Sequence, residues 1–136
     1  MKKVLVCDDD KNVRYLMTFA LTGMGWEVIT CEDCTNIIEK VVEFQPSVII
    51  MDNQIPDIGG IKTVQILKAN PIYKDIPVIF ATSDHGISKL AEEAGADFYL
   101  SKPVDIKKLE SLMKDSYRLF LLKNADPDAS EASELA

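Results

Sequence analysis

Basic residues are in deficit. Lys and Arg number 15 against 22 Asp and Glu, a net charge of −7, so there is no basic stripe of the kind a phosphate backbone demands. The same deficit argues against an anionic membrane surface. Long apolar runs are missing too: nothing approaches the ~20 residues that cross a bilayer, and MKKVLVCDDD meets acid before a signal-peptide segment can form. Cysteine is scarce: the three present are an odd number without an export signal, which excludes a disulfide framework. The expected location is the cytoplasm. No repeat breaks the chain up. The single histidine, His85, is read as a solvated loop residue, and the single tryptophan, Trp26, as a shield where the second strand begins.

What remains is one domain's worth of chain, 136 residues with 47% apolar and 27% charged content, long enough to bury a core. Short apolar runs alternate with amphipathic stretches: VLVC (4–7), VIT (28–30), VIIM (48–51), VIFA (78–81) and FYL (98–100). Between them apolar residues recur at helical spacing. Val13, Leu16, Met17, Ala20, Leu21 and Met24 mark the first helix, with Gly25 placed to end it. Ile37, Ile38, Val41 and Val42 mark the second, before the breaker Pro46; Ile61, Val64 and Leu67 mark the third. Ile87, Leu90, Ala91 and Ala94 mark the fourth. Ile106, Leu109, Leu112, Met113 and Tyr117 mark the fifth, with Asp105 as its N-cap. YRLFLL (117–122) is expected to pack on the domain.

Strands apolar on both faces and alternating with helices imply a parallel sheet covered on both sides. Five such units predict an α/β fold, a doubly wound five-stranded parallel sheet, and fall short of an eight-fold barrel. From Ala125 onward the composition turns small and acidic, so residues 124–136 are expected to form a disordered tail or linker stub beyond a domain at 1–123.

In a doubly wound sheet ligands sit beyond the carboxyl ends of the strands. After the first strand come Asp8, Asp9 and Asp10; the third ends in Asp52, the fourth in Thr82 and Ser83, the fifth in Ser101, Lys102 and Pro103. Each has a bland account: Asp10 caps a helix, Thr82 starts a loop, Lys102 is a solvated charge. That account leaves three carboxylates crowded at one edge, where two charges ~4 Å apart repel by ~4 kcal/mol. A divalent cation offsets this, and all-oxygen ligands favour Mg²⁺ or Mn²⁺ over zinc. An ammonium and a hydroxyl beside the metal suit phosphoryl transfer, with Asp52 as the nucleophile.

These motifs resemble the receiver domains of two-component response regulators. VLVCDDD looks like the family's first strand and acidic cluster, and DNQIPDIGG like its phosphoacceptor motif, with Pro56 four residues on and Gly60 eight on. IPVIFATS is similar to the strand ending in the family's Thr or Ser, and GADFYLSKP to its Tyr and Lys-Pro segment. The resemblance implies a flavodoxin-like strand order 2-1-3-4-5. It implies Asp52 as phosphorylation site, and Mg²⁺ held by Asp9, by Asp8 through a bound water, by Asp52 and by the backbone carbonyl of Gln54. It further implies Thr82 and Lys102 on phosphoryl oxygens, Tyr99 with Thr82 as the switch pair, and a cis bond before Pro103. By the same resemblance, Gln54 and Asp84 occupy positions that in this family tune phosphoryl lifetime, and Gly59 replaces a more usual polar residue.

The expected function is therefore a phosphoacceptor switch, not a turnover enzyme. It takes its phosphoryl group from a sensor histidine kinase or phosphotransfer protein and signals to a target protein through the fourth helix, fifth strand and fifth helix. No output module is expected beyond the fifth helix, so signalling is expected by protein contact, unless the chain was excised from a larger regulator or hybrid kinase. A haloacid-dehalogenase-type phosphatase would use Asp8 and Asp10, but Asn12 breaks its motif and Asp52 is left without a role. A pseudo-receiver would keep the fold and never take phosphate. Cys31 and Cys34 form a CxxC read as packing, since Cys34 lies in phase with Ile37, Ile38 and Val41.

Overall fold

The computed structural model describes residues 2–125. Five strands alternate with five helices: β1 (Lys3–Cys7), α1 (Lys11–Gly23), β2 (Glu27–Cys31), α2 (Ile37–Phe44), β3 (Val48–Met51), α3 (Gly59–Ala69), β4 (Val78–Thr82), α4 (Ile87–Ala94), β5 (Phe98–Ser101) and α5 (Ile106–Asn124). All pairings are parallel, in the order β2-β1-β3-β4-β5. The expected doubly wound sheet and its strand order are present. The acidic tail expected at 124–136 lies outside the described residues, apart from Asn124, which closes α5, and Ala125.

Period-two alternation along the strands splits the core in two. Leu5, Cys7, Ile49, Met51, Val78 and Phe80 face α2, α3 and α4. Val4, Val6, Val48, Ile50, Ile79, Ala81 and Leu100 face α1 and α5, where Met17, Leu21, Leu109 and Met113 meet them. Every residue of β3 and β4 is buried. The edge strands are not covered on both faces: β2 leaves Ile29 39% exposed, because a sheet ends there and its outer flank has no neighbour.

Helix ends follow their residues. Asp10 caps α1 by accepting from the Asn12 amide at 2.8 Å, and Asp105 caps α5 by accepting from the amides of Lys107 and Lys108. After α1, Gly25 takes φ +91°. Its amide bonds to Thr22 and that of Trp26 to Leu21, a paired closure that needs a left-handed residue. Some apolar residues that mark the helices face outward: Leu16, Val42 and Ile106 are exposed. Trp26 directly precedes the edge strand β2. It is 6% exposed and meets the Tyr117 ring edge-on at 5.6 Å, which ties the YRLFLL stretch to the domain.

Candidate functional site

The same alternation delivers the site. Asp8 continues the phase of Val4 and Val6, Asp52 that of Val48 and Ile50, and Lys102 that of Leu100, so all three emerge in phase at the carboxyl edge. Main-chain bonds fix them there. The Asp52 amide donates to the Cys7 carbonyl, the Asp8 amide to that of Cys31, and the Lys102 amide to that of Thr82, each at 3.0 Å. Asp8, Asp52 and Thr82 are buried, while Asp9 is exposed.

Lys102 is the counter-charge. Its Nζ donates to Asp8 Oδ2 and lies 3.3 Å from Asp52 Oδ2. Burial and the Asp8 charge raise the Asp52 carboxyl above its ordinary value, against the pull of Lys102 and the Gln54 amide. Burial presses the Lys102 ammonium down, yet its contacts with Asp8 and Asp52 together outweigh that and leave it raised. The Gln54 amide donates to Asp52 Oδ1 at 3.3 Å. Asp8 and Asp9 each offer a carboxylate oxygen that, with one from Asp52, forms a set all within 4.8 Å of one another. Carboxylates alone, without sulfur or imidazole, are the donor set of a hard cation. The residues present fit Mg²⁺.

Gly60 explains why the motif after Asp52 needs a glycine. A Cβ there would sit 2.0 Å from the Asp52 carbonyl oxygen and 2.8 Å from the Asn53 Cα, so α3 packs directly against the loop that carries the acceptor. Gly59 takes φ +79° and begins α3. The bond before Pro103 is cis.

Three groups from the sequence reading, Thr82, Tyr99 and Asp10, are not in the cluster formed by Lys102, Asp8, Asp9 and Asp52. Thr82 is in phase with Val78 and Phe80, on the other face of the sheet. Its hydroxyl donates to Asp84 Oδ2 at 3.2 Å. Tyr99 is 42% exposed. Asp10 has its carboxylate committed to capping α1.

Two residues near the site, Arg14 and Asn53, are not singled out in the sequence. Arg14 donates to the Asp8 carbonyl at 2.8 Å and so braces the loop from below. Asn53 donates to Asp84 at 2.6 Å and Gln54 to its other oxygen at 2.7 Å, joining the loops after β3 and β4. The Asn53 bond and then those of Thr82 and Gln54 hold the Asp84 carboxyl below its usual range. Helical spacing could have placed Arg14 one turn from Asp10. Nothing local could have paired residues 53 and 84.

A doubly wound sheet with an acidic pocket and a lysine at its switch-point edge defines a class of signalling domain. The chain belongs to the response regulator receiver domain family, whose model matches residues 4–114, and so to the response regulators of two-component systems. It is 32% identical to protein PilG of Pseudomonas aeruginosa over 82% of this chain and 84% of PilG. With the phosphate regulon transcriptional regulatory protein PhoB of the same organism it shares 30% identity over 96% of this chain, but spans only 56% of PhoB. Among solved structures it is similar to chemotaxis response regulator CheY4 of Vibrio cholerae, with a TM-score of 0.77 and 27% identity over 85% of this chain and 98% of CheY4. A receiver domain protein from Clostridium thermocellum aligns with a TM-score of 0.76 and 29% identity, over 86% and 94% of the two chains. No described helix is long and apolar enough to cross a membrane.

Proposed function

We propose that residues 1–123 act as a phosphoacceptor switch, taking a phosphoryl group on Asp52 from a phosphohistidine of a sensor kinase or phosphotransfer protein, in the cytoplasm. The observation that carries this reading is the bridging of Asp52 and Asp8 by one lysine, with Asp9 in reach of the same point. Family membership supports the partner class.

Asp8, Asp9, Asp52 and the backbone carbonyl of Gln54 would hold Mg²⁺ or Mn²⁺, which when bound supplies positive charge against the phosphoryl oxygens. Asp52 Oδ attacks phosphorus, the P–N bond of the donor breaks, and the imidazole leaves with the electron pair. Lys102 is already 3.3 Å from one Asp52 oxygen and neutralises charge on the transferring group. Thr82 must exchange its bond to Asp84 for one to a phosphoryl oxygen, which draws the loop after β4 toward Asp52. Tyr99 follows, changing the surface of α4, β5 and α5 that a target protein reads. Moving a two-state element from 1:99 to 99:1 takes about 5.5 kcal/mol, and a few charge-assisted hydrogen bonds at ~1.5–3 kcal/mol each are of that order.

The protein on this reading is a switch, not an enzyme that releases free product. The phosphatase alternative needs Asp10 for chemistry, yet that carboxylate caps α1. Intact-mass analysis after incubation with acetyl phosphate and Mg²⁺ tests the proposal. One phosphoryl group should add to the wild type and none to Asp52→Asn; equal spectra for the two would remove the claim.

A further inference from the structure

The cysteines are arranged differently from the CxxC of the sequence. Cys7 closes β1 and Cys31 closes β2, and the two are register partners in the parallel pair. Both face the α2–α4 side of the sheet, and their sulfurs are 2.7 Å apart in a buried contact. Cys34 packs separately, with its sulfur 3.8 Å from Met51 Sδ. Neighbouring strands lie ~4.8 Å apart, inside the ~4.4–6.8 Å between Cα atoms that a disulfide accepts. The two sulfurs can therefore bond without moving the sheet.

We propose that Cys7 and Cys31 form a reversible dithiol/disulfide pair that responds to hydrogen peroxide, with Cys31 as the residue oxidised first and Cys7 as the resolving one. Access decides the roles. Cys7 is 1% exposed, whereas Cys31 is 7% exposed and borders an open polar cleft it shares with Arg14, Thr30, Glu32, Asp33 and Lys40. A small oxidant can enter there without the chain unfolding. Cys31 sulfur attacks one peroxide oxygen; the S–O bond forms, the O–O bond breaks, and the departing hydroxide leaves as water with the thiol proton. Cys7 sulfur then attacks the Cys31 sulfenic acid. The S–S bond forms, the S–O bond breaks, and the second water carries away the Cys7 proton. Two thiols lose two electrons and the peroxide gains them. Transient bonds of this kind suit a reducing compartment, where permanent ones do not persist.

The position gives the bond something to act on. The carbonyl of Cys7 holds the Asp52 amide and that of Cys31 holds the Asp8 amide, so the crosslink spans the main-chain anchors of both carboxylates. The chemistry itself does not depend on phosphoryl transfer and is read without it.

The test exposes the reduced, full-length protein to hydrogen peroxide, alkylates the remaining thiols, and maps the product after cleavage at Lys, Arg and Glu without reductant. The wild type should lose two of its three alkylatable thiols and give a joined species of peptides 4–11 and 28–32, reversed by dithiothreitol. Cys34→Ser should form the same crosslink, and Cys31→Ser should keep both remaining thiols free. Should Cys31→Ser fail to fold, Cys34→Ser with wild type still decides. Three free thiols after peroxide, a bond that uses Cys34, a link between two chains, or over-oxidised Cys31 without a crosslink would each overturn the proposal.

Discussion

The surroundings of Asp52 disfavour its charged form. Burial first, and the neighbouring Asp8 charge, raise its pKa above the ordinary 3.8. A carboxyl raised on folding favours the fold fully below its ordinary value and loses that advantage as pH climbs through the folded one. At neutral pH the ionised side chain therefore weighs against folding. Asp52→Asn, measured with a chelator present, should melt a few degrees above wild type at pH 7. The gap should close as pH falls from the raised folded pKa to the ordinary carboxylate range, where the group is protonated in both states. A variant that melts below wild type at neutral pH would contradict the burial argument. The acceptor could be picked out from sequence because an apolar run ending on a carboxylate conflicts with ordinary burial. Its raised pKa could not be: that depends first on how deeply the fold buries it and then on Asp8 from another strand.

At the scale of elements, the loops that frame the pocket are held by contacts of unequal strength. The loop after β3 is pinned by the approach of α3 at Gly60, where an added Cβ would meet backbone at 2.0 Å. Gly60→Ala must push α3 away, and a loss of ~2–4 kcal/mol in denaturant unfolding is expected. Asp84, half-buried, links the loops after β3 and β4 by accepting from Asn53, Gln54 and Thr82. Asp84→Ala should change global stability little and raise amide hydrogen exchange over residues 53–58 and 82–86. Protection unchanged in both segments would show that the link does not hold them. Glycine at 60 was legible as a motif, but its reason was not, since the clash is with a residue eight positions earlier brought back by a turn. The partners of Asp84 were equally hidden, because side-chain pairs between loops leave no periodicity.

For the molecule as a whole, two apolar layers share one sheet, so damage to either should unfold both together. Leu109, fully buried where α5 meets the sheet, should cost ~2–5 kcal/mol when cut to Ala, in one cooperative transition. Cation binding acts on the same global equilibrium. If Asp8, Asp9 and Asp52 take Mg²⁺, a concentration 100 times the dissociation constant should add about 2.7 kcal/mol to wild type. Asp9→Asn should lose most of that rise in midpoint. An equal rise in wild type and variant would place the ion elsewhere.

The order of strands and helices, the buried character of β3, and the edge at which Asp8, Asp52 and Lys102 gather were all set by local pattern. Period-two and period-3.6 alternation are written into each segment without reference to any other. The tertiary structure alone decided that Cys7 meets Cys31 in place of Cys34, that Thr82 bonds Asp84, and that Trp26 packs against Tyr117. It also decided which apolar residues, Leu16 and Val42 among them, stay in water. Such choices turn on register and on the fit between surfaces distant in the chain, and a linear sequence carries no distance between them.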